Sequence, residues 1–253
     1  ASASRATASG SSSPPPGPSV PPVESIAHGV AEGFALIARG DAELLSILGL
    51  SLWLAAVATA AAMLLGVPLG IFLALRRFPG RGLCVTLVNA GMGLPPVVAG
   101  LLVFLLLARS GPLGGLNLLY TPAAILIAQV LIASPVVVGV TMAGIQGLDP
   151  RLPPQLLSLG ASRWQLYLSL IREARITLVA ALAAGFGSII SEVGAVMIVG
   201  GNLRGQTRVM TTAIVLETRQ GNFSRAIALA VVLLGICLLI NWLFSWVQQR
   251  RAP

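Results

Sequence analysis

The chain has 253 residues, 56% of them hydrophobic and only 9% charged, with a formal net charge of +8. A soluble globular domain carries about 25% charged residues, so this composition argues for a polytopic membrane protein. All 16 basic residues are arginine, which removes the chemistry that needs lysine: neither a Walker A phosphate loop nor a Schiff-base amine can be present.

Residues 1–22, ASASRATASGSSSPPPGPSVPP, are rich in Ser, Ala and Pro and lack the continuous apolar region of a signal peptide. They are expected to form a disordered tail. From 23 to 43, acidic residues alternate with Ile26, Phe34, Leu36 and Ile37, the pattern of an amphipathic helix lying at the membrane surface. Gly40 and Asp41 then read as a break and an N-cap.

Five apolar spans follow, at about 44–75, 83–107, 123–145, 176–199 and 226–247. Each is long enough to cross a hydrocarbon core of about 30 Å. The second is interrupted by GLPP at 93–96, the third contains Pro135 and the fourth contains Glu192. A coupling loop at 146–175 and an external loop at 200–225 complete the permease domain, 44–249. The two cysteines, Cys84 and Cys237, fall inside spans and read as small buried hydrophobes; with a single histidine, His28, no zinc, haem or disulfide pattern is supported.

An odd number of spans puts the termini on opposite sides. Placing the loop after the first span inside gives nine arginines to the cytoplasm and seven to the exterior, so the positive-inside bias expects the N-terminus outside and the C-terminus cytoplasmic. Four of the exterior arginines, Arg204, Arg208, Arg219 and Arg225, lie in the 200–225 loop. The positive charge reads as topology and headgroup contact, and no nucleic-acid partner is expected.

The stretch LSLGASRWQLYLSLIREAR at 157–175 is one basic, amphipathic element between apolar spans. Helical spacing sets Trp164, Tyr167, Leu168 and Ile171 on one face, with Arg163, Arg172 and Arg175 free for headgroups or a partner. By itself this pattern reads first as an interfacial loop helix. The run Gly160 to Gln165, GASRWQ, resembles the cytoplasmic coupling loop of binding-protein-dependent ABC transporter permeases. Pro154, Gln155 and Leu156 stand at that pattern's Glu-Ala-Ala positions, and Arg172 and Glu173 at its Leu-Pro. Together with GLPPVVAGLLVFLLLARSGPLG (93–114), REAR (172–175), ISEVGAVMIVGGN (190–202) and TRVMTTAIVLET (207–218), the resemblance is to oxyanion permeases of the tungstate type, with molybdate and sulfate permeases as relatives.

That resemblance implies an all-α, MetI-like permease fold of five core transmembrane helices and a cytoplasmic coupling helix, in a bacterial inner membrane. It implies a second copy of the chain as pore partner, two ATP-binding cassette subunits and an extracytoplasmic oxyanion-binding protein. The chain itself would hold no cofactor and no metal and would not be an enzyme; ATP and magnesium would be bound by the partner ATPase. Leu159, Gly160, Ala161, Ser162, Arg163 and Trp164 would form the ATPase-coupling segment, Gly160 permitting the bend and Leu159, Ala161 and Trp164 entering a groove of the motor.

For the pathway, Pro95 and Pro96 read either as a broken-helix element lining the pore or as a simple kink. Glu192, an acid inside a span, is costly enough to have a role. It would cap or pair, with Arg204 or Arg208 as partner, or act as a gate. Asn202 is expected to cap the helix after the GGN release, and Arg208, Thr207, Thr211 and Thr212 to line the external vestibule. An ion-coupled secondary carrier using Glu192 is the competing class; no internal repeat and no further acid within a span supports it. A membrane enzyme lacks paired carboxylates, a His cluster or an activated nucleophile.

Overall fold

The computed structural model describes residues 29–31, 35 and 38–250, with the backbone only at Arg250. The expected tail at 1–22 and most of the surface helix at 23–43 lie outside them. Described residues within the latter segment, 29–31, 35, 38 and 39, are helical.

Among the described residues the fold is helical throughout, with no strand. The helices are α1 (Ala42–Leu75), α2 (Arg81–Met92), α3 (Pro96–Leu107), α4 (Pro122–Gln146), α5 (Leu152–Ser158), α6 (Arg163–Glu173), α7 (Arg175–Ile190), α8 (Gly194–Gly200), α9 (Met210–Arg219) and α10 (Phe223–Arg250). Asp41 caps α1, its carboxylate accepting from Leu44 N–H at 2.8 Å. Helices α1, α4 and α10 are each long and apolar enough to cross a membrane alone.

The other two expected spans are not single helices. Residues 83–107 divide into α2 and α3, bent by 106°, too sharp for the simple kink that the sequence left open. The span expected at 176–199 divides into α7 and α8, separated at Ser191–Val193, so Glu192 lies in a break rather than inside a helix. Helices α6 and α7 meet at 72°. By length and composition up to five spans result among the described residues, when the bent pairs α2–α3 and α6–α7 each count as one.

Helices α1 and α4 form the central pair, with α7 against both. Lipid is as apolar as leucine, so association here rests on close packing of small residues rather than on apolar burial. Ala55, Ala58 and Ala62 of α1 and Ala133 of α4 are fully buried. At Gly66 and Gly70 an added Cβ would come within 2.7 Å of Val137 and 2.8 Å of Thr141, so a larger residue would force the pair apart. A second cluster joins α3 to α8 and α4 through Ala99, Val103, Ala128, Ala195 and Val199. Both cysteines, expected to be buried, are half-buried instead.

The two ends of α1 carry different neighbours. Leu44 and Ile47 pack with Met210, Ala213, Leu229 and Val232 of α9 and α10. Ile71 packs with Ile145 of α4, with Leu166 and Leu170 of α6 and with Ala174. With a rise of about 1.5 Å per residue these ends are roughly 40 Å apart, which exceeds the hydrocarbon thickness of about 30 Å.

Candidate functional site

The segment expected to couple to an ATPase, residues 159–164, is built by local sequence. Helix α5 ends at Ser158 with Leu159 as its C-cap, and Gly160 has φ of +84°, a left-handed turn that an L side chain resists. Ser162 then opens α6 with a reciprocal capping box: its hydroxyl accepts from Gln165 N–H, and the Gln165 side chain accepts from Ser162 N–H at 2.7 Å. This box fixes the direction of α6. Leu159 is 83% exposed and Trp164 70% exposed, while Ser162, Arg163, Arg172 and Arg175 are exposed and Ala161 half-buried.

The inward face of α6 is formed by residues that the sequence reading did not name. Leu166 and Leu170 are buried against α1 and α4, whereas Tyr167, Leu168 and Ile171 are only half-buried. Their i, i+4 spacing was the available signal. A cleft of about 290 Å³ lies beside this face, lined by Arg76, Arg163, Leu157 and Tyr167 among others.

At the first break Pro96 stands at N1 of α3, where its missing N–H costs nothing. It also pushes Pro95 out of the helical region, to ψ of 125°. The freed carbonyl of Pro95 accepts from Val98 N–H at 2.9 Å and Ala99 N–H at 3.2 Å. Gly93, Pro95 and Pro96 remain exposed on the single chain.

At the second break the free groups meet side chains. Glu192 is 8% exposed, and its Oε1 accepts from Ala195 N–H at 2.9 Å, capping α8. Its backbone carbonyl accepts from the Thr211 hydroxyl at 2.8 Å. Met210 N–H, at the start of α9, donates to Ser51 Oγ of α1 at 2.9 Å. The buried Gln129 amide borders the same small cavity, and its Oε1 has no partner. Ser51 and Gln129 were missed by sequence reasoning, because an isolated Ser or Gln in an apolar run carries no periodic signal.

Neither Arg204 nor Arg208 pairs with Glu192 as expected; both face Glu43 instead. Arg204 Nη2 is 2.7 Å from Glu43 Oε2, Arg225 Nη2 is 3.0 Å from the same oxygen, and Arg208 Nη1 is 3.5 Å from Oε1. Asn202 does not cap the next helix: α9 begins eight residues on at Met210, and Asn202 Nδ2 donates to the Thr212 carbonyl at 3.4 Å. The threonine hydroxyls are engaged by backbone: Thr207 donates to Gly200 O, Thr211 to Glu192 O and Thr212 to Val209 O. In this conformation they hold the 200–212 segment together. Pro95, Pro96 and the Glu192 cluster thus lie at separate breaks, and Arg208 belongs to the Glu43 cluster.

Comparison with known proteins gives a consistent result. Residues 66–253 match the family described as binding-protein-dependent transport system inner membrane component. A probable anion ABC transporter permease protein of Haloferax volcanii is 40% identical over 223 residues, covering 85% of this chain and 96% of the relative. The tungstate uptake system permease protein TupB of Peptoclostridium acidaminophilum is 38% identical over 228 residues, covering 90% of this chain and 100% of the relative. Among solved structures, a bacterial ABC transporter involved in import of the acidic polysaccharide alginate aligns with a TM-score of 0.74 at 17% identity, over 91% of this chain and 90% of that one. The helix order, the two broken spans and these matches agree: the chain belongs to the family of binding-protein-dependent transport system inner membrane components.

Proposed function

We propose that this chain is the permease subunit of an ATP-driven importer of a tetrahedral oxyanion, with tungstate the preferred substrate and molybdate or sulfate the alternatives. The observation that carries the reading is the 38% identity to a tungstate uptake permease across that relative's whole length. The chain holds no lysine and therefore no Walker A loop, so ATP and magnesium belong to separate ATPase subunits. Leu159, Gly160, Ala161, Ser162, Arg163 and Trp164 are where such a subunit docks; the exposure of Leu159 and Trp164 supports this.

A second copy completes the pore. Irregular backbone at membrane depth is stable only against protein or a water-filled path, and Gly93, Pro95 and Pro96 are uncovered on the single chain. Pro95 and Pro96 on one side, and Glu192, Thr211 and Thr212 on the other, border the pathway. Asn202 and Arg208 stand at its outer mouth, where an oxyanion-binding protein delivers the ion, with the C-terminus in the cytoplasm.

The test is uptake by proteoliposomes holding the permease, its ATPase subunits and its binding protein. Tungstate should accumulate only with ATP, in preference to molybdate and sulfate, and should continue when ionophores collapse the ion gradients. Uptake that follows the gradients and ignores ATP would instead assign an ion-coupled carrier.

A further inference from the structure

We propose that Arg204, Arg208 and Arg225 form an oxyanion-binding site at the outer mouth, which the Glu43 carboxylate occupies as a built-in stand-in. This rests on the permease reading above for the class of ion. Three guanidinium groups from two elements converge on one carboxylate, at 2.7, 3.0 and 3.5 Å. Arginine forks match planar or tetrahedral oxyanions, and a carboxylate presents the same acceptor oxygens with half the charge of a dianion.

Two features show that Glu43 satisfies the trio incompletely. Arg208 has a side chain only 16% exposed, and its Nε is buried without a hydrogen-bond partner. A buried donor left unpaired costs free energy that a ligand with more acceptors would recover. The charges are also unequal: Glu217 joins the cluster 3.7 Å from Arg225 Nε and accepts from Asn222 Nδ2 at 2.9 Å, leaving, among the described residues, three guanidinium groups against two carboxylates. Glu43 itself is 24% exposed and Arg204 72% exposed, so an arriving ion can reach the site from solvent.

Displacement of Glu43 has a mechanical consequence. Glu43 lies in the first turn of α1, Arg204 and Arg208 in the segment between α8 and α9, and Arg225 in the first turn of α10. In the resting arrangement Glu43 clamps these three elements together. A dianion that takes the arginines releases α1 while holding the other two, so ion arrival biases the outer mouth between two states.

The experiment measures tungstate binding by calorimetry to the permease–ATPase complex in nanodiscs without the binding protein. Glu43→Gln removes a negative charge a few ångströms from the dianion and should tighten binding about tenfold, the gain shrinking as salt rises. Adding Arg208→Gln to Glu43→Gln should abolish the gain. Arg204→Gln, at an exposed position that does not threaten folding, should weaken binding about threefold. Should Glu43→Gln not assemble, Glu43→Asp withdraws the carboxylate by one methylene and should give a smaller tightening.

Equal or weaker binding by a Glu43 variant that assembles normally would overturn the site, as would full affinity after Arg208→Gln. So would a Glu43→Gln effect confined to docking of the anion-free binding protein, which would make the arginines a contact for that partner's acids. Proteoliposome uptake that continues while these binding shifts are absent removes the site alone; absence of ATP-driven uptake of any oxyanion removes the proposed function.

Discussion

The two interruptions of membrane helices, at Gly93–Pro95 and at Ser191–Val193, solve the same problem by different chemistry. Both free backbone groups that lipid cannot satisfy. At the first, proline removes donors and directs ψ, and the remaining groups close short local turns: Gly93 N–H to Ala90 O, Leu94 N–H to Gly91 O, Val98 N–H to Pro95 O. At the second, Glu192 caps α8, Thr211 ties α9 to the Glu192 carbonyl, and Ser51 of α1 accepts from Met210. In its hydrogen bonds the first break is local, whereas the second is wired to two other elements. A perturbation at the second should therefore spread.

The largest expected effect is at Glu192. Glu192→Ala strips the cap from the fully buried Ala195 N–H and should cost about 2 kcal/mol of stability, seen as a lower midpoint of unfolding in detergent. Glu192→Gln keeps an acceptor oxygen and should stay within about 0.5 kcal/mol of the parent. Should uptake nevertheless fall in Glu192→Gln, the charge itself works in gating. Equal losses for the two variants would mean that capping is not what the side chain contributes.

A smaller effect is expected at Ser51, across the link from α1 to α9. Ser51→Ala leaves the buried Met210 N–H without its acceptor and should cost about 1 kcal/mol. Combined with Glu192→Ala, it should show a coupling energy of about 0.5 kcal/mol or more in a double-mutant cycle, because both side chains hold one buried cluster. Strict additivity would break the contrast between a wired and a local interruption.

What the sequence disclosed follows from the type of force involved. Helices α1, α4 and α10 were legible because a long charge-free run has one solution in a bilayer, and the Asp41 cap and the Gly160 turn because each is decided by local backbone chemistry. The fourth span was misread, since an apolar run of 176–199 looks continuous and nothing in the spelling of Ser191–Glu192–Val193 marks a helix break. Glu192 was singled out for its cost in lipid, and of the cap and the arginine pair expected for it, the cap is what forms, on Ala195 N–H. Glu43, read as one acid of a surface helix, collects three arginines from 161 to 182 residues away, a pairing that only tertiary structure can reveal. The buried face of α6, Leu166 and Leu170, went unassigned for a similar reason: only the folded chain shows which side of an amphipathic helix meets the ends of α1 and α4.

The smallest effect should be at the proline break, and its smallness is the point. Pro96→Ala removes one of two constraints, but Pro95 still keeps Leu94 out of the helical region, so the 106° bend should persist. Stability should fall by only about 0.5 kcal/mol, through the greater freedom of the unfolded chain. Spin labels at the exposed positions Leu83 and Leu106 should report an unchanged separation in this variant. Replacing Pro95 and Pro96 together by alanine removes both constraints, and the label separation should lengthen as α2 and α3 approach a continuous helix. If the single substitution already straightens the segment, or costs as much as Glu192→Ala, the first break depends on distant contacts as the second does. If the double substitution leaves the bend intact, packing of Gly91 on Pro135 and Met92 on Gly139 rather than proline geometry sets the angle.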